Sequence, residues 1–413
     1  MTAETVPATC PECGIALPAP GAPCPHCTSA FKTWGRSRTV FLSLCGLLLI
    51  PLFTITGVVV RLFHEKQARI AEEWRVAGEV NLAAVRSAAA IEDFRNALLY
   101  SPESALLQLE LAKALAEQGQ TTEAQDYLLN LRTKDPEDAP VNLELARIAA
   151  RMAAQQKDNE AVQVATTYYH DAMYGHWPDA AHDKRLATRS ELIEFFLKMG
   201  RKDSARAEAL SMAVENPADP DVRVLAGKYL LQAGDAQTAL AEFRRAAQLE
   251  PGNAPAYLGA GNAALAAGDF ADAERYLARA IQTGVKDPDI AARRQTAALA
   301  AEMDPFVSNL SDTDRRRRVL RIFHAAEQRA KACLPAMFSA GPTPAPDTLK
   351  TLAAQRAALP KDLTLPDLVL HPDFESKALN WALQTEKAAA QQCGAGGTTE
   401  GAIALIAATH RES

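Results

Sequence analysis

Aromatic residues are scarce in this chain: Phe, Tyr and Trp together make up 6% of 413 residues. Sandwiches and barrels draw on aromatic and β-branched side chains to fill a pleated core, so the scarcity argues against both. A charge excess is also missing. The formal net charge is -6, whereas a nucleic-acid surface needs a strong basic footprint, so no nucleic-acid partner is expected. The sequence has no Gly-rich phosphate loop, no nucleophile elbow and no HExxH zinc motif, and a non-enzymatic role is expected. What it does have is 48% hydrophobic residues, with Ala dominant through the middle. That composition suits close-packed helices in two or three domains and predicts an all-α protein.

One run of sequence is apolar throughout. Val40 to Val60 carries no charged side chain, and at 1.5 Å per residue it spans a hydrocarbon core of roughly 30 Å. A transmembrane helix is predicted over 38–63, with Pro51 kinking it mid-span and Cys45 a small apolar filler. A cleaved signal peptide fits less well, because the run is long and begins well inside the chain. Charge does not orient the span. Lys32, Arg36 and Arg38 precede it, and Arg61, Lys66, Arg69 and Arg75 follow it, while interspersed acids count little.

The seven cysteines fall into groups. Cys10-Pro-Glu-Cys13 and Cys24-Pro-His-Cys27 are two CxxC pairs within residues 1–37. The arrangement resembles a zinc ribbon, in which each pair offers two sulfurs on a tight turn and the four thiolates close a tetrahedron around a structural zinc. His26 is read as a bystander. Metal would supply most of the folding free energy of so small a module. Cys333 and Cys393 stand alone near the ends of two predicted helices and are expected to form a disulfide. Thiolate ligands persist in a reducing compartment and an isolated pair oxidises outside it. The N-terminus is therefore placed in the cytoplasm, and the long C-terminal part in the periplasm or its equivalent, with the span in the inner membrane.

Offsetting the sequence against itself exposes a period of 34. Gly200, Gly234 and Gly268 recur at that interval, as do Ala205, Ala239 and Ala273, Phe243 and Leu277, Pro102 and Pro136, Pro217 and Pro251, and Ala90 and Ala124. Each unit reads as two helices. The first carries a large residue and a small one four positions on, as in Trp74 and Gly78, Arg223 and Gly227, Tyr257 and Gly261. On these residues the region resembles the tetratricopeptide repeat. Trp74, Gly78, Ala90, Phe94, Ala97 and Pro102 fall on its signature positions, as do Tyr257, Gly261, Gly268, Ala273, Leu277 and Ala280. About six units are expected over 71–287, stacked as a solenoid. Gly119 and Gly200 are out of register, so an insertion is placed within 155–184, where Tyr168, Tyr169, His170, Tyr174, His176, Trp177 and His182 gather.

After Pro288 the period is lost. Asp289 to Met303 is expected to cap the last unit within a C-terminal helical domain, 289–413. Four arginines, Arg315 to Arg318, crowd the first turn of a following helix and oppose its dipole. Seven prolines between Pro335 and Pro372, with Pro342, Pro344, Pro346, Pro360 and Pro366 between them, read as a linker-like crossover.

What the resemblance implies is binding of a protein or peptide partner. The first helix of each unit lines the concave face, where Leu109 and Lys113, Leu143 and Arg147, Val224 and Lys228, and Leu258 and Asn262 repeat one pairing at i, i+4. An apolar floor beside a row of donors suits a peptide with apolar anchors and carboxylates. Two roles are open: a membrane-anchored interaction scaffold, or a transmembrane regulator that reports periplasmic binding to the zinc module.

Overall fold

The computed structural model describes residues 8–156, 158–338 and 347–410, with backbone alone at 28–40. Among the described residues the chain is helical, with no strand and two isolated bridges, Thr9 with Ala16 and Asp138 with His176. It divides into two compact units, residues 1–136 and 137–413.

In the first unit, α1 is a single helix from Pro25 to Ala83. It contains the expected span and also the first helix of the first repeat, so no boundary separates them. Pro51 lies inside it without ending it. The Thr54 hydroxyl donates to the Pro51 carbonyl (2.9 Å) and the Thr56 hydroxyl to that of Leu52 (2.7 Å), so these polar groups are satisfied within the helix. Lys32, Arg36 and Arg38 lie outside the residues whose side chains are described. The last turns of α1 pack on α2 (Ser87–Tyr100), followed by the pair α3 (Ala105–Glu117) and α4 (Thr121–Lys134).

The second unit continues with α5 (Ala139–Gln156) and α6 (Asn159–Tyr174), α7 (Ala181–Lys198) and α8 (Lys202–Glu215), α9 (Pro220–Ala233) and α10 (Ala236–Leu249), and α11 (Ala254–Ala267) and α12 (Phe270–Gln282). Sequence dictates the joints. Asp219 and Asn253 cap α9 and α11 from equivalent positions, and Asp235 and Asp269 do the same for α10 and α12. Gly234 and Gly268 end the first helices with φ of +91° and +80°, a conformation that a Cβ disfavours.

In three of the pairs a glycine lets the helices close. An added Cβ at Gly227 would lie 2.9 Å from the Phe243 ring and one at Gly261 would lie 2.7 Å from Leu277. In the first unit a Cβ at Gly78 would lie 2.6 Å from the Phe94 ring. The large residue follows its glycine by sixteen positions in all three cases, and all three large residues are fully buried.

The extra residues are not one insertion. They are spread over α5, α6 and α7, which have 18, 16 and 18 residues against 13 or 14 in their neighbours, and over the connection 175–180. Tyr169 is buried in the core, Tyr168 and Trp177 pack against it, and the indole of Trp177 donates to the Ala172 carbonyl (3.0 Å). Gly175 is needed where the chain returns on itself, since a Cβ there would lie 2.5 Å from the Glu137 carbonyl.

The helix α13 (Ile290–Met303) packs on α12 and begins a second core with α14 (Asp312–Cys333), α15 (Asp347–Ala357), α16 (Leu365–Leu370), α17 (Pro372–Cys393) and α18 (Thr398–Thr409). The linker expectation for 335–372 is corrected here. Leu349, Leu352, Leu359, Leu363 and Leu368 are buried in this core, and Pro366 and Pro372 sit in first turns, where a missing N–H costs nothing. Arg356 clamps the segment by donating to the carbonyls of Pro360 and Lys361 and pairing with Glu327 while stacking on Phe323 and Trp381. Pro342, Pro344 and Pro346 lie outside the described residues. The four arginines find partners within the chain. Arg315 pairs with Asp312, Arg316 with Glu375 and Arg317 with Asp314, while Arg318 donates to the carbonyls of Ala301 and Asp304 at the end of α13.

Two outcomes follow from this packing. Gly259 on α11 faces Phe243, and an added Cβ would lie 2.2 Å from its ring. Gly259→Val is expected to cost about 1–3 kcal/mol by overpacking, read as a lower denaturant midpoint in far-UV circular dichroism. An unchanged midpoint would count against the close approach. Glu386 on α17 is nearly fully buried beside Arg329, at 3.2 Å. Burial, reinforced by Glu400 and opposed by Arg329, pushes its carboxyl up to about 7. The folded state therefore binds this proton more tightly, so the contribution is full below about 4.5 and is lost as pH rises through about 7. Stability is expected to fall by roughly 3 kcal/mol at most across that window, and Glu386→Gln should flatten that part of the curve of unfolding free energy against pH.

Candidate metal centre and interaction surfaces

The four N-terminal cysteines converge. Their sulfurs all lie within 4.8 Å of one another, with Cys10 to Cys27 at 3.9 Å and Cys13 to Cys24 at 3.5 Å. Zinc–sulfur bonds of about 2.3 Å set tetrahedron edges of roughly 3.8 Å, so the donor set fits such an ion. Local sequence builds the two halves differently. The first pair sits on a tight turn in which the Cys10 amide donates to the Ile15 carbonyl and the Gly14 amide to that of Cys10, both at 2.9 Å. The second pair departs from the expected turn. Cys24 is the N-cap of α1, with Pro25 next in the helix, because proline is favoured in a first turn and donors there are free to meet a thiolate.

Electrostatics follow from that placement. The Cys27 amide, helped by the Cys13 thiol and the His26 amide, lowers the Cys24 thiol to about 7 against the cost of burial. Cys27 is pushed up, first by its hydrogen bond with the Cys13 thiol and then by burial and the other two sulfurs. Four crowded thiols cannot all ionise without a cation among them. The cluster can hold a metal ion, and a closed set of sulfurs leaves no open position for catalysis.

Among the described residues no other group of His, Cys or acidic side chains converges in this way. His170 contacts Glu208 (3.1 Å), and His176 joins the bridge to Asp138 through its backbone. Cys333 and Cys393, in the last turns of α14 and α17, are joined as a disulfide with Cα atoms 6.2 Å apart, inside the usual span for such bridges.

The eight positions expected to line a groove do not form a row of free donors. Leu109, Leu143 and Val224 are buried in packing between helices, and Leu258 is half-buried. Lys113 pairs with Glu110 (2.8 Å), and Arg147 with Glu144 (2.7 Å) and Glu191 (2.5 Å). Asn262 accepts from Arg293 (2.6 Å). Lys228 is exposed. Cations on a helix face find acids one turn away or on the next helix, and spacing along one helix does not reveal this.

Residues 82–148 and 230–295 match one tetratricopeptide-repeat family model, and residues 192–254 match a second. The chain contains tetratricopeptide repeats. It is similar to solved repeat proteins: YrrB, a protein with an unusual peptide-binding site (18% identity over 48% of this chain and 95% of that one, TM-score 0.34), and PilW, a type IV pilus biogenesis factor (15%, 54% and 97%, TM-score 0.35). Another is the C-terminal part of a repeat protein from Cytophaga hutchinsonii (16%, 60% and 93%, TM-score 0.40). No curated protein matches the sequence significantly. The repeats imply a protein–protein interaction scaffold.

The metal reading has a direct measurement. Purified protein is expected to carry about one zinc per chain, and removing it by chelation should unfold the N-terminal module, whose apolar core is small. Metal content near zero under reducing conditions, or metal retained when Cys10, Cys13, Cys24 and Cys27 are all Ser, would exclude the site.

Proposed function

We propose that this chain is a single-pass membrane scaffold that recruits a protein or peptide partner through the first helices of its repeats, with a structural zinc module at its N-terminus. One observation carries the reading. Between Phe41 and Phe63, α1 exposes its apolar side chains on every side, and none of the most apolar window is buried; then it runs without interruption into the first repeat. Water would not tolerate such a surface, whereas a bilayer covers it.

The cysteines support the orientation. Four thiols poised for metal suit the cytoplasm, and a paired Cys333 and Cys393 suit the oxidising side. The repeats and the C-terminal helices would then stand in the periplasm or its equivalent. On the first helices Lys228, exposed beside buried Val224, is the cation best placed to meet a partner's carboxylate. A second reading, the regulator, is favoured by the continuity of α1. One helix starts at the cysteine cluster and ends in the first repeat, so displacement at one end would reach the other.

In right-side-out vesicles an impermeant maleimide is expected to leave Cys333 and Cys393 unlabelled until a reductant is added. Free reaction of both thiols without reductant would overturn the disulfide, and no labelling even after an impermeant reductant would overturn the topology. Replacing both by Ser should cost up to about 4 kcal/mol on the chain-entropy account. Cross-linked capture from solubilised membranes should weaken for Lys228→Glu with helical content unchanged. Deleting Met1 to Ser37 should spare the captured set if the chain is a scaffold and abolish a downstream output if it is a regulator.

A further inference from the structure

Apolar side chains stand exposed at one end of the first repeat. Leu99 and Tyr100 close α2 and Leu106 lies in the first turn of α3; the two leucines are 76% and 53% exposed. The joint between these helices is packed by their neighbours Ala97 and Leu107, so packing does not require the exposed pair. The repeat register makes both leucines anomalous. Nine residues after the recurring alanines Ala90, Ala124, Ala239 and Ala273 stand Leu99, Thr133, Gln248 and Gln282, and sixteen after them stand Leu106, Pro140, Pro255 and Asp289. The unit of Ala205 has an exposed Val214, but Glu215 and Asp221 follow where the first unit has Tyr100 and Leu106. An exposed apolar cluster confined to one unit marks a contact that the other units do not make.

Helix packing turns this end toward the apolar part of α1. Asn81 donates to Asp93 (2.6 Å), Gly78 faces the Phe94 ring, and Ala71 packs with Ala97 and Leu107. As its numbers rise, α2 therefore runs back along α1 toward Phe63. Ala71 is eight residues beyond Phe63 and Tyr100 three beyond Ala97, which at 1.5 Å per residue are about 12 Å and about 4.5 Å in opposite directions. The backbone at Tyr100 thus stands roughly 7 Å along the axis from the level of Phe63. Headgroups occupy about 5–8 Å outside each face of the hydrocarbon core, so side chains at 99, 100 and 106 stand at headgroup depth. Lys66 and Arg69 are exposed on the intervening turns of α1, where cations meet lipid phosphates. The acid at the tip, Glu103, pairs with Lys134 (3.6 Å).

We infer that the tip formed by Leu99, Tyr100 and Leu106 docks on the bilayer surface and holds the first repeat against the membrane from which α1 emerges. The inference rests on the reading of α1 as a membrane span. Leucine buries its side chain where headgroups meet acyl chains, and tyrosine sits at that boundary with its hydroxyl in water. The occupant is lipid because depth is fixed by the chain itself: α1 carries the apolar surface, and α2 and α3 pack on the same helix a few turns beyond it.

The test reconstitutes the full chain in vesicles of equal parts phosphatidylcholine and phosphatidylglycerol, with and without acyl-brominated phosphatidylcholine. The reading is the fluorescence that one new tryptophan adds to the four native ones. Leu99→Trp is expected to lose at least about a third of its added fluorescence to the brominated lipid. Gln118→Trp, exposed just past the far end of α3, is expected to lose none. Should Leu99→Trp fail to fold, Leu106→Trp is read in its place, with the same loss expected. Leu48→Trp probes the span itself. Loss at Leu48 with none at Leu99 or Leu106 would overturn the docked tip and leave the span standing, whereas no loss at Leu48 would overturn both. Equal loss at positions 99 and 118 would also overturn the inference, because the contact would not belong to the tip.

Discussion

The first helix pair and the last two depend on how closely two antiparallel helices can approach, and in each of them one glycine sets that distance. Gly78, Gly227 and Gly261 each leave room for a large residue sixteen positions later, Phe94, Phe243 or Leu277, which is fully buried against the bare backbone. A methyl group at any of these glycines would force the ring or branch outward. Interiors are packed at near-crystalline density, so such displacement has nowhere to go.

The N-terminal unit applies a different constraint. Almost no apolar core surrounds Cys10 and Cys24, and the four converging cysteines can hold a metal ion. The helix that starts at Cys24 supplies part of the site through its first-turn amides and then continues as α1. Local chemistry at the helix start and the long apolar face are thus properties of one rod.

Charge in the second unit is largely settled internally. Arg315 to Arg318 look like an exposed basic patch in sequence, yet three pair with acids and the fourth satisfies the carbonyls that end α13. Arg147 is likewise held by two glutamates, one on its own helix and one on α7. Arg189 is held the same way, by Glu208 and Glu215 on α8.

Sequence alone determined the helical class, the apolar run and the convergence expected of Cys10, Cys13, Cys24 and Cys27. These rest on periodicity, composition and short spacing, all local properties that the chain carries before it folds. It also located the helix that follows the last repeat, read as Asp289 to Met303 and found as Ile290–Met303. Only the tertiary structure decided which side chains are free. The proline-rich stretch 347–372 became core because its leucines found α14 and α17, and Lys113, Arg147 and Asn262 were taken by Glu110, Glu144, Glu191 and Arg293. Long-range packing, unlike a helical period, leaves no regular spacing to read.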